Sequence, residues 1–75
     1  MYVGKVTGMI IATTKNEGLV GKKLLIVQPL DMKCNPVGDC EVAVDTVGAG
    51  TGEIVLVAPI DRSIVAIIDH IEVNQ

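Results

Sequence analysis

The sequence has no phenylalanine and no tryptophan, and Tyr2 is its one aromatic residue. Proteins that hold single-stranded nucleic acid stack bases on aromatic platforms inside a basic groove. The platform is missing here. The groove is missing too. Six lysines and arginines are scattered against nine acidic residues, for a net charge of −3, whereas a phosphate-binding face needs clustered positive charge. Lys22 and Lys23 are the one adjacent basic pair and read as solvated loop lysines. No nucleic-acid partner is expected.

Cysteine is also scarce. Cys34 and Cys40 are too few for a disulfide framework. They flank the turn sequence Asn35-Pro36-Val37-Gly38, placed to face each other across a hairpin, but free thiols are the rule in the cytosol. With His70, the single histidine, they fall short of the four ligands that zinc takes. No metal and no cofactor is expected. Unbroken aliphatic runs such as Ile64 to Ile68 are far too short to cross a bilayer. Met1-Tyr2-Val3 already starts a strand-like pattern rather than a leader. The expectation is a cytosolic, soluble protein with no membrane partner.

What is present is aliphatic. In 75 residues, 49% are hydrophobic, so apolar surface is left over once so small a chain has folded. That surplus points to burial between subunits. The residues are mainly valine, isoleucine, leucine and alanine, a composition that favours strands. One domain, residues 1–75, is expected.

Five strands can be read in order. Residues 1–14 form the first, with Gly4 and Gly8 marking a bend or bulge. Lys15–Lys23 is a polar loop. Leu24–Gln28 is a second strand, ended or edged by Pro29. Cys40–Val47 is the third and Glu53–Ala58 the fourth. Pro59–Arg62 is a short connection, and Ser63 is placed to cap a brief helical turn. The fifth runs from Ile64 to Val73. Short strands punctuated by glycine indicate an all-β fold, a small five-stranded OB-like barrel, with at most one short helical turn before the last strand.

The stretch Glu41–Glu53, EVAVDTVGAGTGE, is the centre of the pattern. Val42, Val44 and Thr46 point one way; Glu41, Ala43, Asp45 and Val47 point the other. Gly48, Gly50 and Gly52 then alternate, which permits close backbone approach or positive φ. A phosphate-binding loop would need a helix next, with a Lys-Ser/Thr pair; a strand, Ile54–Ala58, follows instead. Asp45, in an apolar strand, needs partners, either corner amides or a neighbouring cation. His70 has no nucleophile in a triad-like order, and no catalytic residue is expected. The residues expected to pack at a subunit contact are Asp45, Thr46, Val47, Gly48, Ala49, Gly50, Gly52 and Glu53, with Gly48 and Gly50 intolerant of bulk.

Four stretches together resemble the EutN/CcmL family of microcompartment vertex proteins. They are GKVTGMIIATTK (Gly4–Lys15), GKKLLIVQPLD (Gly21–Asp31), AVDTVGAGTGEIVLV (Ala43–Val57) and PIDRSIVAIIDHIEV (Pro59–Val73). VQPLD followed by AVDTVGAGTGE is the specific part. The resemblance implies an OB-like barrel and a non-enzymatic homopentamer. Such pentamers cap shell vertices in the bacterial cytoplasm and contact hexameric shell proteins along their sides. One departure stands out. The family usually carries a longer insert between the fourth and fifth strands, whereas here Val57-Ala58 passes straight into Pro59-Ile60-Asp61. The rival reading is a small OB module that binds a small molecule or single-stranded nucleic acid.

Overall fold

Alternating burial along each strand follows from side chains pointing to opposite faces, and here one face is turned into a barrel. The computed structural model describes residues 1–11, 17 and 21–72. The strands are β1 (Tyr2–Ile10), β2 (Lys23–Leu30), β3 (Glu41–Asp45), β4 (Ile54–Ala58) and β5 (Ser63–Ile67). They close in the order β1-β2-β3-β5-β4. All pairs are antiparallel except β3 with β5. Closure removes the free edges through which so β-branched a chain would aggregate.

The core is small and aliphatic. Val6, Leu25, Val27, Val55, Val57 and Ile64 are its largest fully buried side chains. Each stabilises the fold by about 1.5–3 kcal/mol, and no aromatic ring stands among them. Tyr2 lies partly buried against this cluster. Its hydroxyl is buried and makes no hydrogen bond of good geometry. Burial first, and the Glu41 carboxylate second, push its pKa up to about 12. Arg62, on the other side of Glu41 at 3.4 Å, pulls the other way only weakly.

Gly4 is buried and its role is steric. A Cβ there would collide with Val27 Cγ1 and stand 3.2 Å from the Gln28 carbonyl oxygen. Gly8 sits beside a register shift between Val6 and Gly8, the irregularity its position in the strand indicated.

Several expectations need correction. β5 ends at Ile67, and residues 68–72 leave the ladder, so His70 is not on a strand. Ile68 N still donates to Ile54 O at 2.7 Å, which lays this segment beside β4. Ser63 opens β5 rather than capping a helix, and no helix occurs among the described residues. Pro29 does not end β2. It pairs with Gly4 inside the strand, and its carbonyl accepts Val37 N at 3.0 Å. β1 ends at Ile10; residues 12–14 lie outside the described residues, as does most of the Lys15–Lys23 loop. Cys34 and Cys40 are exposed and free.

Gly4→Ala is expected to destabilise the fold by about 1–3 kcal/mol, the range for overpacking a tight core. Gly8→Ala, whose Cβ meets only Ile26 Cδ1 at an ordinary 3.5 Å, should change stability little. Urea midpoints of the two variants check the contrast.

Candidate functional site

The strand β3 delivers Asp45 to the end of the barrel, and the chain must then turn back to reach β4. The turn is the glycine corner, residues 46–53. Asp45 is on the inward face, the face of Ala43, and its side chain is only 2% exposed. A carboxylate so placed must be hydrogen-bonded. Its Oδ1 accepts Val47 N at 3.0 Å and Gly48 N at 3.1 Å. Lys23, its register partner on β2, holds Nζ 3.8 Å from Asp45 Oδ2. The same Nζ donates to the Ala49 carbonyl at 2.9 Å.

These bonds seat Ala49 fully buried against the core. Ala49 therefore acts as a plug in the open end of the barrel. The far limb of the corner is fixed to β1. Gly52 N donates to Val6 O at 2.8 Å, and Val6 N donates to Glu53 O at 2.9 Å. Glu53 Oε1 accepts Gly50 N at 2.7 Å. Thr46 Oγ1 donates to Ile64 O at 2.5 Å and ties the corner to β5.

The eight expected contact residues thus divide. Asp45 and Ala49 face inward and serve the chain's own fold. Thr46, Val47 and Gly48 are exposed. Gly48 takes φ +80°, which resists any β-substituted residue for backbone reasons. Gly50 has no positive φ, and a Cβ on it would meet Glu53 Oε1 at an ordinary 3.5 Å. Within one chain Gly50 therefore has room for bulk. Lys23 was missed by sequence reasoning: its place opposite Asp45 depends on strand register, and the pair Lys22-Lys23 resembles any loop pair. No sequence signal extends the strand back to it, because Leu24–Val27 is an unbroken aliphatic run without polar alternation.

Burial alone would raise the Asp45 pKa. The amides of Val47, Ala49 and Gly48, with Lys23 Nζ, outweigh it and hold the carboxyl below its usual value. Asp31 is lowered as well, chiefly by the Asn35 amide, and it organises the 31–35 turn by accepting Lys33 N and Asn35 N at 2.9 Å. The one titratable group described beside Asp45, Lys23, is committed to the Ala49 carbonyl, so both carboxylates act as anchors of their turns. An open cleft of about 270 Å³ lies elsewhere, lined by Cys34, Ile54, Ile68, Asp69, His70 and Ile71. No group of three or more metal-ligating side chains occurs among the described residues.

Comparison with known proteins gives a consistent result. The profile of the family described as ethanolamine utilisation protein EutN/carboxysome matches residues 1–58. A bacterial microcompartment shell vertex protein, GrpN, from Rhodospirillum rubrum is 45% identical, over 96% of this chain and 97% of that one. A carboxysome shell vertex protein, CcmL, from a Synechocystis strain is 42% identical, over 97% of this chain and 87% of that one. The solved structure of a GrpN pentameric microcompartment shell protein from R. rubrum superposes with a TM-score of 0.91. It is 47% identical and covers 100% of both chains. The GrpN sequence alignment runs over 86 positions against a chain of 75 residues, so GrpN has residues with no counterpart here. The family match stops at Ala58, at the mouth of the short Pro59–Arg62 connection.

Because the folded-state pKa of Asp45 is depressed, its stabilisation is complete above the ordinary carboxylate range and is lost as pH falls through the depressed value. Asp45→Asn is expected to cost about 1.5–3 kcal/mol at pH 7, the range for charge-assisted hydrogen bonds. The gap from the parent chain should close under strong acid. Thermal midpoints from pH 7 down to pH 2 measure this.

Proposed function

This chain belongs to the EutN/CcmL family, and from that premise we propose that it is a structural subunit of a bacterial microcompartment shell. Five copies form a ring that occupies a shell vertex inside the bacterial cytoplasm. It is a structural protein and not an enzyme, as its relatives named for a place in the shell are. The whole chain, residues 1–75, acts as one barrel unit.

The observation that carries this reading is the full-length match, at TM-score 0.91, to a shell protein described as pentameric. The physical reading of the chain agrees with it. A closed barrel has no edge strand to offer, so association runs through side chains. Hexagonal tiles alone cover a flat surface; a five-fold unit supplies the curvature that closes a polyhedron. The sides of the ring contact hexameric shell proteins. The exposed outer side of the glycine corner, at Thr46, Val47 and Gly48, packs at the contact between subunits, and Gly50 beside it is kept small for the neighbour's approach.

A nucleic-acid-binding barrel is the weaker reading. Tyr2, the one Phe, Tyr or Trp in the sequence, packs partly buried against the core with its hydroxyl buried, so it offers no exposed platform for bases.

The test is assembly. Hexameric shell proteins are mixed with and without this protein and imaged by electron microscopy. Closed particles are expected only with it, and sheets or open tubes without it. Open assemblies in both cases contradict the vertex role.

A further inference from the structure

The cleft of about 270 Å³ is built from three separate stretches of the chain: the 31–35 turn, the start of β4, and residues 68–71 after β5. Its floor is aliphatic. Ile54, Ile68 and Ile71 are half-buried there, while Cys34, Asp69 and His70 line it as exposed residues. The size is just below the range of about 300–1,000 Å³ for small-molecule sites, and the pattern is theirs: an apolar lining with a few convergent polar groups. The proposed ring contact uses none of these six residues.

The walls are fixed by backbone bonds. Ile68 N donates to Ile54 O at 2.7 Å, which holds the 68–71 segment against β4. On the Cys34 side, Cys34 N donates to Asp31 O at 2.9 Å and Asp31 N to Asn35 O at 2.8 Å, inside the turn that the Asp31 carboxylate organises. Cys34 takes φ +65°, a left-handed conformation in which glycine or asparagine is the usual occupant. The second cysteine is a comparison within the same loop. Cys40 is also exposed, but it lines no part of this cleft, and its thiol donates to Gln28 Oε1 at 3.3 Å. Of the two exposed thiols, Cys34 is the one with an aliphatic cavity beside it. Charge narrows the ligand further. Asp69 is the one carboxylate in the lining and no lysine or arginine stands with it, so an anionic ligand is disfavoured.

We propose that the cleft is a site of thiol addition, where Cys34 forms a covalent adduct with short-chain, uncharged conjugated carbonyl compounds. The aliphatic tail lies over the three isoleucines and brings the reactive double bond to Cys34, whose thiolate form is the nucleophile. Sulfur bonds to the β-carbon as the carbon–carbon π bond breaks. The thiol proton ends on the α-carbon. The addition consumes one thiol and one electrophile and needs no oxidant or reductant. It is stoichiometric and leaves the structural role of the chain as it stands.

N-methylmaleimide and N-pentylmaleimide are uncharged probes of this class that differ by four methylenes. The native protein is treated with a limiting amount of each, and rates at Cys34 and Cys40 are read separately by peptide mass spectrometry. Protein unfolded in urea gives the intrinsic rates. A fully buried methylene is worth about fourfold, so even a half-open cleft should speed N-pentylmaleimide over N-methylmaleimide by more than about tenfold at Cys34. Cys40 should show no such acceleration, and in urea the preference should vanish at Cys34 too. Ile71→Asn should lower the preference at Cys34. Val37→Asn, in the 31–40 loop and outside the cleft lining, should keep it. Equal chain-length ratios at the two cysteines overturn the inference, as does a Cys34 left unlabelled in the native protein or a preference unchanged in folded Ile71→Asn. The comparison of the two reagents on the parent protein needs no variant, so it decides the matter even where Ile71→Asn does not fold.

Discussion

The structure depends on sealing the ends of a barrel that has little to fill it. Six aliphatic side chains form its main contents. At one end the seal is Ala49, and Ala49 is held by a charge. Asp45 accepts two corner amides, and Lys23 joins the carboxylate to the Ala49 carbonyl. Lys23 is 45% exposed, so its ion pair with Asp45 adds little by itself. Its value is positional: it fixes the strand register and the corner together. Away from this corner, the Tyr2 phenol is buried with no good hydrogen-bond partner, and Arg62 pairs with Glu41 at 3.4 Å.

This division makes sense of a small chain that is nearly half hydrophobic. Strand alternation sends one set of aliphatic residues into a narrow barrel and an almost equal set outward. The C-terminal segment covers part of the outer set. Others, such as Val42 on β3 and Val65 on β5, stay exposed.

Much of this was legible in the sequence, for identifiable reasons. The period-two pattern of Val42, Ala43, Val44 and Asp45 gave the faces of β3 correctly, and an acid on the inward face required the amides it has. The turn glycines marked the corner, and the combination VQPLD with AVDTVGAGTGE carried the family. Other features rest on contacts distant in the chain. The requirement for glycine at position 4 comes from Val27, and the role of Lys23 comes from its register with Asp45. β5 was read as too long because Ile68 and Ile71 continue its aliphatic pattern, whereas they serve a different surface beside Ile54. The glycines were read as one device, yet Gly48 answers to φ and Gly50 has space within the chain. The short Pro59–Arg62 connection stood out in the sequence as a departure from the family pattern.

The central claim is that this chain closes a five-membered ring despite its short β4–β5 connection. Native mass spectrometry over a dilution series measures that directly. A species of five times the 7.9 kDa chain that persists on dilution is expected. A six-fold species, or a monomer at all concentrations, would contradict it.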